Sequence, residues 1–275
     1  MAKKHQVTEL DFDLIKDNLK TYMKNQNEFK DYNFEGSGLS QIIDLLAYNT
    51  HYLAMNANFA MNEAFLDSAT LRSSVVSHAK KLGYTPRSAR APIAYVDVLL
   101  NASTATSATL AKGTRFTTKV DGSTYGFVCN EDLSVTPSNG VMRFSNVPIY
   151  EGTLITSRYT VDLNNLAQRF VISDTRADTT TLSVSVQTSS SDLSTTVYTL
   201  ATDITQVTSG ANVYFIQEGS DGKFEIYFGD GVVGSAISNG NIVQLQYIVT
   251  NKEKANGAKV FSTSSVDGET DISIA

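Results

Sequence analysis

The residue best placed for chemistry is Asp230, which lies between two glycines in the stretch Phe228–Gly234, FGDGVVG. A carboxylate in such a loop could serve as a nucleophile, a general base or a calcium ligand. A calcium loop of the EF-hand type also needs alternating oxygen ligands and a closing glutamate, which are absent here. An Asp before Gly more commonly bonds its own backbone in a turn. We therefore expect Asp230 to be a structural turn residue.

Sequence motifs for other kinds of catalysis are missing as well. The chain contains no GxSxG nucleophile elbow, no HExxH zinc motif and no phosphate-binding P-loop. Two carboxylates distant in the sequence could still pair for glycoside cleavage, which spacing alone leaves open. Asp121 and Asp221, each followed by Gly, are interpreted as turn residues like Asp230. The prediction is that the chain is not an enzyme.

The single cysteine and the three histidines are the remaining candidates for reactive or metal-binding groups. Cys129 lies among strand-forming residues, in YGFVCN, and is expected to be a buried small hydrophobic residue. One cysteine excludes an internal disulfide and a cysteine metal cluster. His5, His51 and His78 are scattered, without a partner at ligand spacing. The sequence thus predicts neither a metal site nor a cofactor.

Composition limits the classes of partner. The chain has 275 residues, 41% hydrophobic and 18% charged, enough for two or three modest domains. Residues 1–90 carry 11 Lys and Arg against 10 Asp and Glu, and residues 91–275 carry 11 against 18. Neither part is basic enough to indicate nucleic-acid binding. No apolar run suits a membrane span and no secretory signal is evident, which predicts a protein without a membrane anchor in a cytosol-like compartment.

The hydrophobic period changes from helical to alternating near residues 83–92, where Gly83, Pro86 and Pro92 indicate a domain boundary. Three helices are predicted before it, at about Asp11–Asn25, Leu39–Ala64 and Ser68–Leu82. In the third helix, Asp67 or Ser68 is the expected cap, Gly83 the terminator, and the expected core residues are Leu71, Val75 and Leu82.

The second predicted helix carries two apolar seams, whereas a surface helix needs only one. Its 26 residues would extend about 39 Å at 1.5 Å per residue. A small three-helix bundle could bury both seams internally, but three helices of one chain offer little cover, which favours a contact with other chains. The predicted interface residues are Leu39, Ile42, Leu45, Leu46, Tyr48, Tyr52, Leu53, Met55 and Phe59.

Beyond Pro92, short alternating segments separated by turn residues indicate antiparallel β-sandwich-like domains, so that the whole chain is α+β and multidomain. The predicted strands are Ile93–Leu100, Arg115–Thr118, Tyr125–Cys129, Val141–Phe144, Thr153–Tyr159, Arg169–Ile172, Thr181–Gln187, Val213–Gln217, Phe224–Phe228 and Ile242–Thr250. The predicted turns include 121–122, 139–140, 151–152 and 221–222. The structural turn residues of greatest interest are Gly229, Asp230, Gly231, Gly234, Asn239 and Gly240, where positive φ or close backbone approach is expected.

The segment FGDGxxG followed by Asn239-Gly240-Asn241 resembles the hallmark of the baseplate J-like family, structural components of contractile phage tails and related injection machines. The segment Tyr150–Thr153, YEGT, with Tyr159–Asp162, YTVD, is similar to the start of that family's central β-domain. Residues 31–87 resemble the N-terminal helical region of the ring-forming baseplate wedge subunit. Such subunits are usually longer, so the resemblance implies either a short version or a partial chain.

The resemblance implies a structural protein of the virion, located in the tail baseplate after assembly in the host cytoplasm. It implies contacts with copies of itself, with other wedge proteins, and with sheath-proximal or hub-proximal baseplate proteins. These form the ring around the hub and transmit the rearrangement that triggers sheath contraction. The expected domains are 1–90, a helical wedge-assembly region; 91–150, a first β-domain; 151–262, a baseplate J-like β-domain; and 263–275, a polar C-terminal segment.

A receptor-binding adhesin or tail-fibre protein is the alternative function. Serine- and threonine-rich β-domains without disulfides would suit it. The helical third of the chain separates the two hypotheses, because a helix with two apolar seams suits burial among partners better than an exposed fibre tip.

Overall fold

The structure, a computed structural model, describes residues 8, 11–26, 28, 30, 32–33, 36–101, 105–138, 141–165, 167–219 and 221–275. The chain divides into two compact units, Met1–Thr85 and Pro86–Ala275. Helices make up the first unit and mainly antiparallel sheets the second, which confirms the predicted α+β class. The finer division at 91–150, 151–262 and 263–275 stays a prediction.

The helical unit contains α1 (Phe12–Lys24), α2 (Gly38–Glu63) and α3 (Arg72–Lys81). Asp11 is the N-cap of α1, where its carboxylate accepts hydrogen bonds from the Asp13 and Leu14 amides at 2.9 and 3.1 Å. Ser37 caps α2 in the same way, accepting from the Ser40 amide at 3.0 Å. Each cap satisfies amides that have no partner within the helix, so both helices begin where a side-chain oxygen is available.

Helix α3 begins four residues later than predicted, and neither Asp67 nor Ser68 caps it. The Ser68 hydroxyl instead donates to the Asn62 carbonyl oxygen at 2.7 Å. The N-cap residue Leu71 has no side-chain cap bond, and just before it the Glu63 carboxylate at the end of α2 accepts from the Thr70 amide and hydroxyl at 2.8 and 2.7 Å. Hydrogen bonds from Ser74 and Thr70 lower the pKa of Glu63 to about 2. The predicted terminator Gly83 does end the helix, with φ at +75°.

The buried side of α3 also differs from the prediction. Val76 is buried, whereas Leu71 and Leu82 are 48% and 75% exposed and Val75 is half-buried. The prediction assumed a helix that starts at Ser68, whereas α3 has ten residues and its buried residue is Val76.

The second unit consists of two principal sheets and one small strand pair. Its strands are β1 (Ile93–Leu100), β2 (Ala108–Leu110), β3 (Arg115–Val120), β4 (Ser123–Cys129), β5 (Leu133–Val135), β6 (Met142–Glu151), β7 (Thr153–Thr160), β8 (Phe170–Val171), β9 (Ala177–Gln187), β10 (Thr195–Leu200), β11 (Val213–Glu218), β12 (Phe224–Phe228), β13 (Ile242–Val249) and β14 (Ile272–Ile274). Two 3-10 turns lie at Ile204–Gln206 and Lys252–Ala255. The first sheet has the order β14-β1-β6-β4-β3, the second β7-β13-β9-β10-β11-β12-β8, and β2 pairs with β5. Among these pairs, β10 and β11 run parallel and the others antiparallel.

Each sheet has its own apolar core. The first core centres on Leu100, Phe116, Phe127 and Phe144, and the second on Tyr247, all almost fully buried. Cys129 lies in the first core, as predicted, and its thiol donates to the Glu131 carbonyl oxygen at 3.1 Å. Burial raises the pKa of this thiol, which disfavours the reactive thiolate.

Strands β2, β5, β10 and β14 were not predicted. Three of them have only three residues, which is too short for an alternating pattern to stand out. In β10 only Tyr198 is buried, so its sequence lacks the usual alternation. The predicted turn at 139–140 lies outside the described residues.

Candidate protein-interaction surface

Helix α2 has three distinct sides, and α1 covers the one that carries the smallest apolar side chains. The buried residues of α2 are Ser40, Ile43, Ala47, Ala54 and Asn58, which recur at helical spacing. Ile15 is the buried residue of α1. A salt bridge from the Lys16 ammonium to the Asp44 carboxylate, at 2.6 Å, joins the two helices. The residues of the predicted interface therefore do not face α1.

A polar contact closes the far end of this buried side. Asn58 is 6% exposed, and its side-chain amide donates to the Thr8 hydroxyl oxygen at 2.8 Å. The Thr8 hydroxyl donates in turn to the Ala54 carbonyl oxygen at 3.2 Å. Because the amide of Asn58 is hydrogen-bonded, its burial carries little penalty. The spacing of the large apolar residues did not predict this side of the helix, whose signal in the sequence is the pair Ala47 and Ala54, seven residues apart.

The two apolar seams on the other sides of α2 are exposed, and together we call them the α2 surface. Leu45 and Leu53 are 66% and 61% exposed, and Leu39 is half-buried. The further members, all exposed, are Ile42, Leu46, Tyr48, Tyr52, Met55 and Phe59. Met61 is also exposed, but it lies seven residues after Ala54, on the side that carries the buried residues. Within the helical unit, neither α1 nor α3 buries the two seams, which excludes the three-helix bundle as their cover.

The α2 surface is large for a single chain. The aromatic members bury roughly 150–250 Å² each when fully covered and the aliphatic members less, and about half of each side chain is exposed here. The total is on the order of 800 Å². The largest apolar patch on a typical monomer is about 300–600 Å², and one side of a standard protein interface covers about 800 Å². The α2 surface thus has the size of one side of a stable interface.

The chemistry of the α2 surface also matches that of an interface centre. Helix α2 carries no Asp, Glu, Lys or Arg between Asp44 and Glu63, near its two ends. Tyr48 and Tyr52 lie with their ring centroids 4.7 Å apart at 57°. A hydrogen bond with Tyr52 raises the pKa of Tyr48, so this side chain stays neutral. Depletion of charge and enrichment in Tyr, Phe and Met are typical of interface centres.

The FGDG turn was the second predicted feature, and its hydrogen bonds involve the backbone. One carboxylate oxygen of Asp230 accepts from the Val232 and Val233 amides at 2.9 and 3.0 Å. These bonds lower the pKa of Asp230. The Gly231 amide donates to the Gly234 carbonyl oxygen at 3.0 Å, which closes the turn. In this geometry Asp230 organises its own loop.

The glycines of this turn are required for two different reasons. Gly231 and Gly234 have φ of +88° and +82°, values that side-chain-bearing residues rarely adopt. At Gly229 the constraint is space, because an added Cβ would lie 2.3 Å from the Val233 carbonyl oxygen. The second turn is bound to the segment that follows β7, since the Asn239 side chain accepts from the Leu163 amide at 3.0 Å. Gly240 in this turn has φ at +84°.

Two substitutions distinguish the constraint of space at Gly229 from the constraint of φ at Gly231. Gly229→Ala is expected to destabilise the second unit by about 3 kcal/mol, because the clash is with backbone that cannot move aside. Gly231→Val is expected to cost about 1–3 kcal/mol, from φ strain on a β-branched residue. Urea unfolding followed by far-UV circular dichroism measures both. If Gly231→Val unfolds at the same urea concentration as the unaltered chain, the structural role assigned to this turn is wrong.

The described residues contain neither a metal-binding cluster nor a membrane-spanning helix. No group of three or more His, Cys, Asp or Glu side chains is placed there to hold a metal ion. No helix among the described residues is both long and apolar enough to cross a membrane.

Two segments of the chain match known protein families. Residues 11–84 match the helical domain of the gp6-like baseplate wedge proteins. Residues 157–261 match the third domain of the bacteriophage baseplate wedge protein gp6. The first match contains the whole α2 surface, and the second contains the FGDG turn.

A relative of known identity covers nearly the whole chain. Baseplate wedge protein gp6 of Enterobacteria phage T4 is 31% identical over an alignment of 269 positions, which covers 90% of this chain and 39% of the relative. The chain therefore spans about two fifths of that protein's length. The similarity to baseplate wedge subunits that the sequence indicated is confirmed at this level.

Proposed function

From its likeness to two domains of gp6-type baseplate wedge proteins, we propose that this chain is a structural subunit of the wedge of a phage tail baseplate. Its place is then in the virion tail, after assembly in the host cytoplasm. The observation that carries the proposal is the α2 surface, which lies within the segment similar to the wedge helical domain and has the size and composition of an interface.

The proposed partners of the α2 surface are helices of a second copy and of other wedge proteins. The two seams flank Asn49 and Asn56, which lie opposite the side that α1 covers. A single partner helix cannot cover both seams at once, since they lie more than a quarter-turn apart around α2. This favours a bundle in which α2 contacts at least two further helices.

The second unit supplies a scaffold in this proposal. We assign its second sheet, with the FGDG turn, to a baseplate J-like domain whose role is structural and not enzymatic. The extensive antiparallel pairing and two separate cores suit a body that keeps its shape while its contacts change. Sheath-proximal or hub-proximal proteins are the partners proposed for this unit, and transmission of the trigger for contraction is its proposed role.

Association measured in solution tests the proposal. The chain is expressed alone and with the neighbouring wedge proteins, and mass is determined by light scattering after size exclusion. We expect oligomers of the chain, or a stable complex with a wedge protein, formed through residues 38–63. A monomer at about 100 μM that binds no wedge protein contradicts the proposal, as does a trimer that binds only cell-surface glycan.

A further inference from the structure

Residues 88–91, which shortly precede β1, are bound to the start of β9 without forming a strand. The Ala91 amide donates to one carboxylate oxygen of Asp178 at 2.9 Å. The Ser88 hydroxyl oxygen accepts from the amide and the hydroxyl of Thr179, each at 2.9 Å. The Arg90 guanidinium donates to the Thr180 hydroxyl oxygen at 3.3 Å. All of these residues belong to the unit Pro86–Ala275.

Asp178 is the centre of this contact. It is 1% exposed, and its other carboxylate oxygen accepts from the Thr180 amide and hydroxyl at 2.9 and 2.6 Å. A buried carboxylate is costly unless its oxygens are hydrogen-bonded. The Ala91 amide is one of three donors to this carboxylate, so the solvation of a buried charge depends on the position of the linker.

A β-bulge presents these groups to the linker. The register of β9 against β13 shifts between Gln246 and Ile248. There the Thr181 hydroxyl donates to the Asp178 carbonyl oxygen at 2.8 Å and accepts from the Ile248 amide at 3.0 Å. Bulges free backbone groups from the ladder and re-aim side chains. The amides of Thr179 and Thr180 are therefore available to side-chain oxygens.

We propose that residues 88–91 form a releasable latch that fixes the connection between the helices and the first sheet. The latch is held by polar contacts, and it buries nothing larger than alanine at Ala89 and Ala91. Release of the latch therefore exposes little apolar surface. Strand β1, which follows the latch, and β9, which the latch contacts, stay intact. The six residues 86–91, once freed, can extend to about 20 Å. Release of the latch thus adds chain length between α3 and β1, which a movement of the preceding helices would require.

Trypsin cleavage of the full chain tests the latch. Arg87 and Arg90 have exposed side chains, yet cleavage after either requires the linker to leave β9. Fragments that begin at Ser88 or Ala91 are quantified by mass spectrometry, with cleavage after the exposed Lys259 as an internal reference. In Ser88→Ala and Asp178→Asn, linker cleavage is expected to accelerate about tenfold or more relative to the reference.

Asp192→Asn is the matched control, because Asp192 accepts an exposed backbone hydrogen bond from Ser194 away from the linker. Its linker cleavage should equal that of the unaltered chain. Equal cleavage in Ser88→Ala and the unaltered chain would overturn the latch. If Asp178→Asn also accelerates cleavage after Lys259, that variant has destabilised the whole unit. The test of the latch then rests on Ser88→Ala.

Discussion

Leu45→Asp is expected to abolish association of the chain with its partners while the isolated chain stays folded. Leu45 is 66% exposed, so an aspartate there remains in water and costs the isolated helix little. In an assembled bundle the same carboxylate would be buried without a partner. Removing the pairing of a buried charge costs about 3 kcal/mol or more, which weakens binding by roughly a hundredfold. Leu53→Asp, on the other seam, tests the second side of α2 in the same way.

The control adds the same charge elsewhere on the helical unit. Ser77→Asp places a carboxylate at an exposed position of α3, outside the α2 surface. Its complexes should match those of the unaltered chain in mass and affinity. If Leu45→Asp lowers the melting temperature of the isolated chain as strongly as it blocks association, Leu45 packs internally and the interface assignment fails.

The sequence predicted those elements whose pattern is local. Strands β1 and β12 were predicted to the residue, because each is a short run rich in apolar and aromatic residues. Helix α2 was predicted within one residue at each end. The pairing of β14 with β1 joins residues more than 170 positions apart. A strand of three residues is too short for its periodicity to predict this pairing.

Tertiary contacts decided the features that the sequence did not predict. Just before α3, the Thr70 and Leu71 amides donate to the carboxylate of Glu63 in the preceding helix, a contact that the predicted start at Ser68 did not include. At the candidate site, the two seams of α2 were predicted from helical spacing. The side that α1 covers was not, because the burial of Asn58 depends on a hydrogen bond to Thr8, 50 residues away. An asparagine on a helix is normally read as solvated, and only its partner shows otherwise.

Gly152→Ala is expected to have the largest effect on the second unit, because it combines forbidden φ with a clash against backbone. Gly152 has φ at +130°, and an added Cβ would lie 2.3 Å from the Val249 carbonyl oxygen. That carbonyl belongs to the end of β13, where Thr153 pairs with Val249. The neighbouring Glu151 is fully buried, and its carboxylate accepts from the Thr250 hydroxyl at 2.6 Å and the Asn251 amide at 2.8 Å.

A shift of Gly152 away from Val249 would therefore also pull Glu151 from its donors and leave a buried charge poorly solvated. We expect a loss of about 3–5 kcal/mol, from φ strain and overpacking together, and a melting temperature lower by about 10 °C. Gly122→Ala is the matched control, since Gly122 has φ at +81° with open space around its Cβ position. It should cost only about 1 kcal/mol. Thermal unfolding by far-UV circular dichroism compares the two, and equal losses would mean that φ alone, and not the contact with β13, makes glycine necessary at position 152.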